Sequence, residues 1–143
     1  MFIDQISVFV ENKQGALKDI LKILADGKID LRAISIADTS DFGILRMIVP
    51  NPDGALELFR SKGVTASKTQ VTGCKLSDTP GSLYHVLNTL HDAGISVEYV
   101  YAFITRKDED AYVILRVEDN DAAQKTLLAA GHSLIDPHDL YGI

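Results

Sequence analysis

The sequence contains a motif that occurs twice, and this repeat limits the possible folds more than any other feature. Asn12-Lys13-Gln14-Gly15-Ala16-Leu17 aligns with Asp78-Thr79-Pro80-Gly81-Ser82-Leu83 at a sequence offset of 66. Both copies consist of a helix-capping residue, two further residues, a glycine, a small residue and a leucine. Self-similarity at a fixed period indicates repeated structural units. The chain of 143 residues is therefore predicted to contain two copies of one unit.

Matches further along the chain support the duplication. At the same offset of 66, hydrophobic positions of the two copies coincide: Leu24 with Leu90, Ile29 with Ile95, Leu31 with Val97 and Ile34 with Val100. The offset then grows to 70, where residues 44–46 align with residues 114–116, and settles at 68 between Gly63 and Gly131. Such changes are expected at turns, because turns tolerate insertions. We expect one domain at residues 1–71 and a second at residues 72–143.

Hydrophobic spacing in the first copy predicts the order β-α-β-β-α-β. Residues 6–10 alternate in the manner of a strand, and Asn12 is expected to cap a helix that ends near Gly27. Residues 31–37 and 44–49 are rich in β-formers and predict a hairpin, and residues 64–71 predict a last strand. Between them, Asn51 is expected to cap a second helix that has Pro52 at its first position.

The second copy predicts the same order. Strands are expected at residues 74–76, 97–105, 112–117 and 133–135, with helices after Asp78 and after Asn120. The acidic residues 108–110 predict a solvated hairpin turn, and residues 136–141 are expected to add an extended segment. The predicted fold class is α+β, with two ferredoxin-like βαββαβ domains that each place two helices on one face of an antiparallel sheet. The other face must be covered or stay polar.

The amino-acid composition of the chain limits the cellular compartment and the binding partners that we expect. The single cysteine, Cys74, excludes a disulfide framework and an all-cysteine zinc site within one chain. No uncharged apolar run approaches the roughly 18 residues that cross a bilayer. Residues 1–71 contain nine basic and nine acidic residues and residues 72–143 contain five and eleven, so the second copy carries the whole net charge of −6. We therefore expect a cytoplasmic protein that binds neither membranes nor nucleic acid.

The loop between first strand and first helix is the most informative part of each copy. A glycine at a helix start lets a ligand approach the backbone, and the free amides there favour a carboxylate. The motif from Asp78 to Leu83, followed by a helix and by Ala93-Gly94-Ile95-Ser96-Val97, resembles the ACT domain, a small ligand-binding regulatory module. Residues 12–17 followed by residues 26–31 resemble a second copy, with Gln14 where the family usually has proline.

The resemblance implies that the protein senses an amino acid. ACT domains commonly pair with their sheets side by side and bind small amino acids near the interface, between the strand-to-helix loop of one domain and the second strand of its neighbour. Carried onto this chain, the implied ligand-binding residues are Asn12, Lys13, Gln14, Gly15, Ala16 and Leu17, with Ser35, Ile36, Ala37 and Asp38, in the first copy. In the second copy they are Asp78, Thr79, Pro80, Gly81, Ser82 and Leu83, with Tyr101, Ala102 and Phe103.

The sequence is compatible with three kinds of function. The first is a stand-alone regulator that reports an amino acid to a metabolic enzyme in trans, without a cofactor, a metal or catalytic residues. The second is a small enzyme on a ferredoxin-like scaffold, although the sequence shows no catalytic triad, phosphate loop or metal-ligand spacing. The third is an RNA-binding sheet, which the acidic second copy disfavours. An exposed sheet edge in each unit predicts a homodimer.

Overall fold

A computed structural model describes residues 1–103 and 110–141. Seven strands and five helices follow one another in these residues: β1 (Ile3–Glu11), α1 (Ala16–Asp26), β2 (Ala33–Asp38), β3 (Phe42–Ile48), α2 (Pro52–Ser61), β4 (Ala66–Ser77), α3 (Ser82–Asp92), β5 (Val97–Ala102), β6 (Asp110–Val117), α4 (Asn120–Ala129), β7 (Ser133–Leu134) and α5 (Pro137–Tyr141). The chain forms two compact units. The first unit is Asp4–Thr69, and the second is Gln70–Ile143 together with Met1–Ile3.

The first unit has an antiparallel sheet with helices α1 and α2 on one face. Strand β3 pairs with β1 on one side and with β2 on the other. Val8 and Leu45 are opposite each other in this sheet, and both belong to a buried cluster that includes Leu24 of α1 and Phe59 of α2. The alternation of buried and exposed residues in β1 therefore positions the core, as the sequence pattern predicts.

The second unit repeats this arrangement. Strand β6 lies between β4 and β5, and the short β7 pairs with β4; all of these pairings are antiparallel. Cys74 and Val113 face each other in a second buried cluster, to which Leu90 of α3 and Leu127 of α4 contribute. The βαββαβ order is confirmed in both units.

The pairing register of the strands corrects one part of the sequence alignment between the two copies. In β1 and β3, Val8 is opposite Leu45; in β4 and β6, Cys74 is opposite Val113. Val8 and Cys74 are equivalent at the offset of 66, so the equivalent of Leu45 is Val113, at an offset of 68. The predicted offset of 70 for residues 44–46 is therefore wrong by two. A shift of two residues keeps every side chain on its own face, so the hydrophobic pattern does not reveal it.

Several predicted boundaries also change. The strands predicted at residues 64–71 and 74–76 are one continuous strand, β4, of 12 residues. Asn51 caps α2 as predicted, with its side chain accepting a hydrogen bond from the Gly54 amide, whereas α1 has Gly15 at its N-cap and no side-chain cap from Asn12. The helix predicted after Asn120 begins at Asn120, and Asp119 caps it by accepting a hydrogen bond from the Ala122 amide.

The C-terminal segment and the acidic hairpin also differ from expectation. Residues 137–141 form the helix α5 instead of an extended segment, because Pro137 has the backbone angle of a helix start and the Asp136 carboxylate accepts a hydrogen bond from the His138 amide. Asp110 is the first residue of β6 and forms an ion pair with Lys75 at 2.8 Å. Residues 104, 105, 108 and 109 of the predicted strand and turn lie outside the described residues.

Candidate ligand-binding site

The loop between β1 and α1 is a compact turn held by its own backbone. The Lys13 amide donates to the Glu11 carbonyl at 2.9 Å, the Ala16 amide to the Lys13 carbonyl at 3.2 Å, and the Asp19 amide to the Gly15 carbonyl at 3.0 Å. Gly15 takes the left-handed conformation with φ 85° and ψ −11°. This conformation favours glycine, and it turns the chain directly into the first turn of α1.

This turn leaves backbone donors available at the start of α1. Within residues 1–103 and 110–141, the amides of Gln14, Gly15, Leu17 and Lys18 have no hydrogen-bond partner. Such amides, together with the helix dipole, give the N-terminus of a helix a partial positive charge. The loop is therefore suited to an anionic group such as a carboxylate.

The same loop lines a groove of about 180 Å³ in the first unit. The groove brings the β1–α1 loop together with the end of β2, and its lining consists of Val10, Glu11, Asn12, Lys13, Leu17, Ile36, Asp38 and Gly43. Asn12 helps to hold the loop at this position, because its side-chain amide donates to the carbonyls of Thr39 and Ser40, both at 3.4 Å. The loop and the strand that line this groove belong to one unit, whereas the family resemblance implies the loop of one domain and the second strand of its neighbour.

Strand alternation separates the predicted residues of β2 into two groups. Ile36 is opposite Leu45 and Asp38 is opposite Gly43, on the helix-bearing face, and both line the groove. Ser35 is opposite Arg46 and Ala37 is opposite Ile44, on the other face of the sheet. Adjacent residues of a strand point to opposite faces, so four consecutive residues cannot all contact one ligand.

Charge at the groove is of both signs. The Lys13 ammonium lies 2.8 Å from the Glu11 carboxylate, and their hydrogen bond and charge attraction lower the pKa of Glu11 and raise the pKa of Lys13. Asp38 is exposed at the opposite wall. The apolar part of the groove is provided by Leu17 and Ile36, whose side chains are 36% and 43% exposed. The predicted residues Gln14, Gly15 and Ala16 are not among the lining residues. The groove therefore combines Leu17, whose amide is unpaired, with a carboxylate and an aliphatic surface.

The equivalent loop of the second unit has the same backbone geometry and different side chains. Amides of Thr79, Ser82 and His85 donate to the carbonyls of Ser77, Thr79 and Gly81, and each bond corresponds to one of the first loop at the same offset of 66. In place of the Glu11–Lys13 ion pair, the hydroxyls of Ser77, Thr79 and Ser82 form a triangle with sides of 3.1, 2.9 and 2.8 Å. Pro80 has no amide hydrogen, so this loop offers one donor fewer.

In the second unit, strand β5, the counterpart of β2, offers fewer accessible residues for a ligand. Tyr101 is buried and stacks on Tyr99 with ring centroids 6.4 Å apart, whereas Ala102 is exposed. Phe103 meets the ring of Tyr112 edge-on at 6.2 Å. Tyr101 and Phe103 therefore contact aromatic neighbours of the sheet. The counterpart of Asp38, residue 104, lies outside the described residues.

Three groove residues are absent from the sequence prediction. Val10 and Glu11 end β1 directly before the motif, and Gly43 is paired with Val10 in the sheet. The position of Glu11 next to the motif is a signal that was available in the sequence. Gly43 depends on the β1–β3 register, which hydrophobic spacing does not specify to better than two residues.

Comparison with known proteins identifies the family of the chain. A family model described as an ACT domain pair matches residues 1–143. The chain belongs to the ACT domain pair family. No curated protein sequence matches it. A crystal structure of a Bacteroides thetaiotaomicron protein is 35% identical and superposes with a TM-score of 0.91, covering 100% of this chain and 98% of that one.

Two further ACT-type structures share the fold at lower identity. The regulatory subunit of aspartate kinase from Thermus thermophilus, in its ligand-free form, is 18% identical with a TM-score of 0.63 and covers 90% of this chain and 92% of its own. The corresponding subunit from Thermus flavus is 18% identical with a TM-score of 0.61, at 89% and 91% coverage. At this identity the likeness establishes the shared ACT fold.

The described part of this ACT domain pair contains neither a metal-ligand cluster nor a membrane-spanning helix. Among residues 1–103 and 110–141 there is no group of three or more His, Cys, Asp or Glu side chains placed to hold a metal ion. None of the helices in the same residues is long and apolar enough to span a membrane.

Proposed function

We propose that this ACT domain pair is a regulatory protein that binds a small amino acid and reports it to an enzyme of amino-acid metabolism in trans. The observation that carries the proposal is the groove of the first unit, which is lined both by Asp38 of β2 and by Leu17, whose amide has no hydrogen-bond partner in the described residues. A free amino acid is a zwitterion and needs both an anion-binding and a cation-binding group. The groove has one of each.

In the proposed complex, the ligand carboxylate accepts hydrogen bonds from the free amides of the loop, those of Gln14 and Gly15, which lie between the lining residues Lys13 and Leu17 in the chain, and that of Leu17 itself. These amides have no other partner in the described residues, so the bonds form without breaking existing ones. Charge-assisted bonds of this kind are stronger than neutral ones. The dipole of α1, which has 11 residues, adds a further favourable term at its N-terminus.

The ammonium group and the side chain of the ligand are matched to groove residues by the same kind of chemical complementarity. The ligand ammonium donates to the Asp38 carboxylate and to the Asn12 side-chain oxygen. An aliphatic side chain packs on Leu17 and Ile36, which are exposed in the free protein. Burying an aliphatic side chain of this size contributes roughly 1.5 to 3 kcal/mol, so the groove favours small aliphatic amino acids over charged ones.

The regulatory part of the proposal is supported by the fold. Two structures that share it are regulatory subunits of aspartate kinase, from Thermus thermophilus and Thermus flavus. By analogy with these subunits, the enzyme that this ACT domain pair regulates is proposed to be a separate chain. Ligand binding at the interface of the two units, which the resemblance implies, stays a prediction.

Thermal unfolding with each of the twenty amino acids, followed by calorimetry, tests the proposal. A ligand at 100 times its dissociation constant stabilises the folded state by about 2.7 kcal/mol and raises the midpoint of unfolding. Asp38→Asn is expected to raise the dissociation constant at least tenfold. Asp41→Asn is the matched control, because Asp41 is an exposed aspartate of the same hairpin that does not line the groove. The absence of binding by all twenty amino acids would contradict the proposal.

The second loop is tested separately. Asp78→Asn and Gly81→Ala alter the loop of the second unit and leave the groove of the first unit intact. If the first unit alone binds the ligand, calorimetry gives one site per chain and neither substitution changes the affinity. A second binding event that these substitutions abolish would show that both loops bind.

A further inference from the structure

The first unit has a second groove, of about 380 Å³, at the β2–β3 hairpin. Phe9 and Phe42, which border this groove, are 62% and 54% exposed. Phe9 alternates with the core residues Val8 and Val10, so it lies on the sheet face opposite α1 and α2. The remaining lining residues come from β2, β3 and the turn between them: Ala37, Asp38, Thr39, Gly43 and Ile44. We call this space the outer groove.

The strand pairing leaves room for one ligand group between the two phenylalanine side chains. Phe9 is opposite Ile44, and Phe42 lies two residues before Ile44 on the same strand and the same face. Such diagonal neighbours are roughly 7 to 8 Å apart, and strand side chains stand nearly perpendicular to the sheet. Carbon atoms in contact are about 3.5 to 4 Å apart, so a ring or an alkyl chain between Phe9 and Phe42 contacts both.

Hydrogen bonds of Thr39 fix the backbone that carries Phe42. The Thr39 hydroxyl donates to the Phe42 carbonyl at 2.9 Å and accepts from the Phe42 amide at 3.3 Å, and the Thr39 amide donates to the same carbonyl at 2.7 Å. The hairpin is therefore ordered before a ligand binds, which lowers the entropic cost of binding. These bonds also occupy the Thr39 hydroxyl, so Asp38 is the polar side chain that the outer groove offers to a ligand.

Asp38 gives the outer groove a negative charge. It is the only charged residue among the described residues of the lining, and in residues 1–103 and 110–141 its carboxylate has no ion-pair or hydrogen-bond partner. The faces of phenylalanine rings are also negative and attract cations. A carboxylate beside two exposed rings therefore favours a ligand with a positive charge and an apolar body, and disfavours an anion.

We propose that the outer groove binds an organic amine, a small molecule with one ammonium group and an aromatic or aliphatic body. The body lies between Phe9 and Phe42 and against Ile44, and the ammonium group donates to the Asp38 carboxylate. The groove volume of about 380 Å³ is within the range of about 300 to 1,000 Å³ that is usual for small-molecule sites.

This site differs from the one proposed for an amino acid, although Asp38 lines both grooves. The amine has no carboxylate, so it needs none of the amides of the β1–α1 loop. Binding of an amine in the outer groove therefore does not depend on whether an amino acid binds at that loop.

Titration with phenethylamine, followed by two-dimensional amide NMR spectra of the full chain, tests the proposal. We expect the amide signals of Phe9, Phe42 and Ile44 to shift until the site is saturated. Phenylacetate has a similar apolar ring with a negative charge, and ethylamine has the positive charge without a ring. Each of these control ligands is expected to bind about tenfold more weakly or not at all.

Substitutions separate the charged and the apolar parts of the groove. Asp38→Asn and Phe9→Ser are each expected to raise the dissociation constant of phenethylamine about tenfold, and Phe42→Leu about two- to fivefold, because leucine keeps an apolar contact without a ring. Asp41→Asn and Tyr84→Ser are the matched controls, since both residues are exposed and neither lines the groove. Circular dichroism confirms that each variant is folded.

Three results would overturn the proposal. The absence of a saturable shift with phenethylamine would assign the outer groove to a macromolecular partner. Equal binding of phenylacetate would show that the charge of Asp38 does not select the ligand. Binding that survives both Phe9→Ser and Phe42→Leu would place the amine elsewhere. Failure of the proposed amino-acid site is a separate result, because it is measured with amino acids and through the amide signals of Gln14 and Gly15.

Discussion

Gly15 and Gly81, which occupy equivalent positions of the duplicated motif, have almost the same backbone conformation, with φ 85° and ψ −11° in the first and φ 91° and ψ −8° in the second. Each is the N-cap of the first helix of its unit, and each accepts a hydrogen bond from the amide four residues later. The duplicated motif in the sequence is therefore a duplicated turn. Its geometry is retained, although the side chains around it have diverged from an ion pair to a hydroxyl triangle.

Substitution of these glycines by alanine is predicted to destabilise both units through the backbone. A Cβ atom would meet only Lys18 Cε at 3.9 Å in the first loop and His85 Nε2 at 3.9 Å in the second, so there is space for it. The left-handed conformation itself costs an L-residue roughly 1 to 2 kcal/mol. Urea unfolding of Gly15→Ala and Gly81→Ala should show a loss of that size in each.

Asparagine is the matched control for this prediction. Asn tolerates the left-handed conformation better than Ala, so Gly15→Asn is expected to lose less stability than Gly15→Ala. Equal losses for the two substitutions would indicate that side-chain packing, rather than backbone conformation, fixes the residue as glycine.

The fold was largely predictable from the sequence because the repeat and the hydrophobic spacing gave consistent information. Val8 and Leu24 mark the buried sides of a strand and a helix without any knowledge of tertiary contacts. The alignment of β3 with its equivalent strand β6 was not predictable in this way. The three-letter match of residues 44–46 with 114–116 is out of register by two, and the sheet pairing gives 68.

The candidate site was predictable only in part. The loop from Asn12 to Leu17 was identified, because glycine and capping residues leave a signal in the sequence. Its contact with Ile36 and Asp38 depends on which face of β2 each residue occupies, and the prediction of four consecutive residues did not separate the faces. The contribution of Gly43 comes from strand pairing, which no local pattern encodes.

Gly73 is predicted to be intolerant of alanine for a steric reason. The added Cβ atom would be 2.6 Å from Ile3 Cδ1 and 3.1 Å from Ile135 Cβ, and both isoleucines are buried. Overpacking of this kind costs roughly 1 to 3 kcal/mol. Gly43→Ala is the matched control in another strand, because its Cβ would have only ordinary contacts, the nearest at 3.6 Å. Chemical unfolding should therefore separate the two variants.

A double-mutant cycle identifies the clash. Ile3→Val removes the Cδ1 atom that is nearest to the new Cβ, so Gly73→Ala should cost less in the Ile3→Val background than in the wild type. Additive losses would show that the Cδ1 atom of Ile3 is not what excludes alanine at position 73.

Cys74 is predicted to be unreactive in the folded protein and to make stability depend on pH in the alkaline range. Burial of the thiol in the core of the second unit raises the pKa of Cys74 from 9.0 to about 12. Since the thiolate is the reactive form, its fraction at pH 8 is about a thousandfold lower in the folded than in the unfolded state. Reaction with a thiol reagent should therefore occur at the rate of unfolding.

The sign of the pH effect follows from the raised pKa of Cys74. Below pH 9 the thiol is protonated in both states, and between pH 9 and about 12 it ionises in the unfolded state alone, so stability falls as the pH rises through this range. Between pH 8 and pH 10 the wild type should lose about 1.4 kcal/mol more than Cys74→Ala, which lacks the group. Urea unfolding at both pH values measures the difference. An identical pH dependence in the two proteins would show that the thiol is accessible to water.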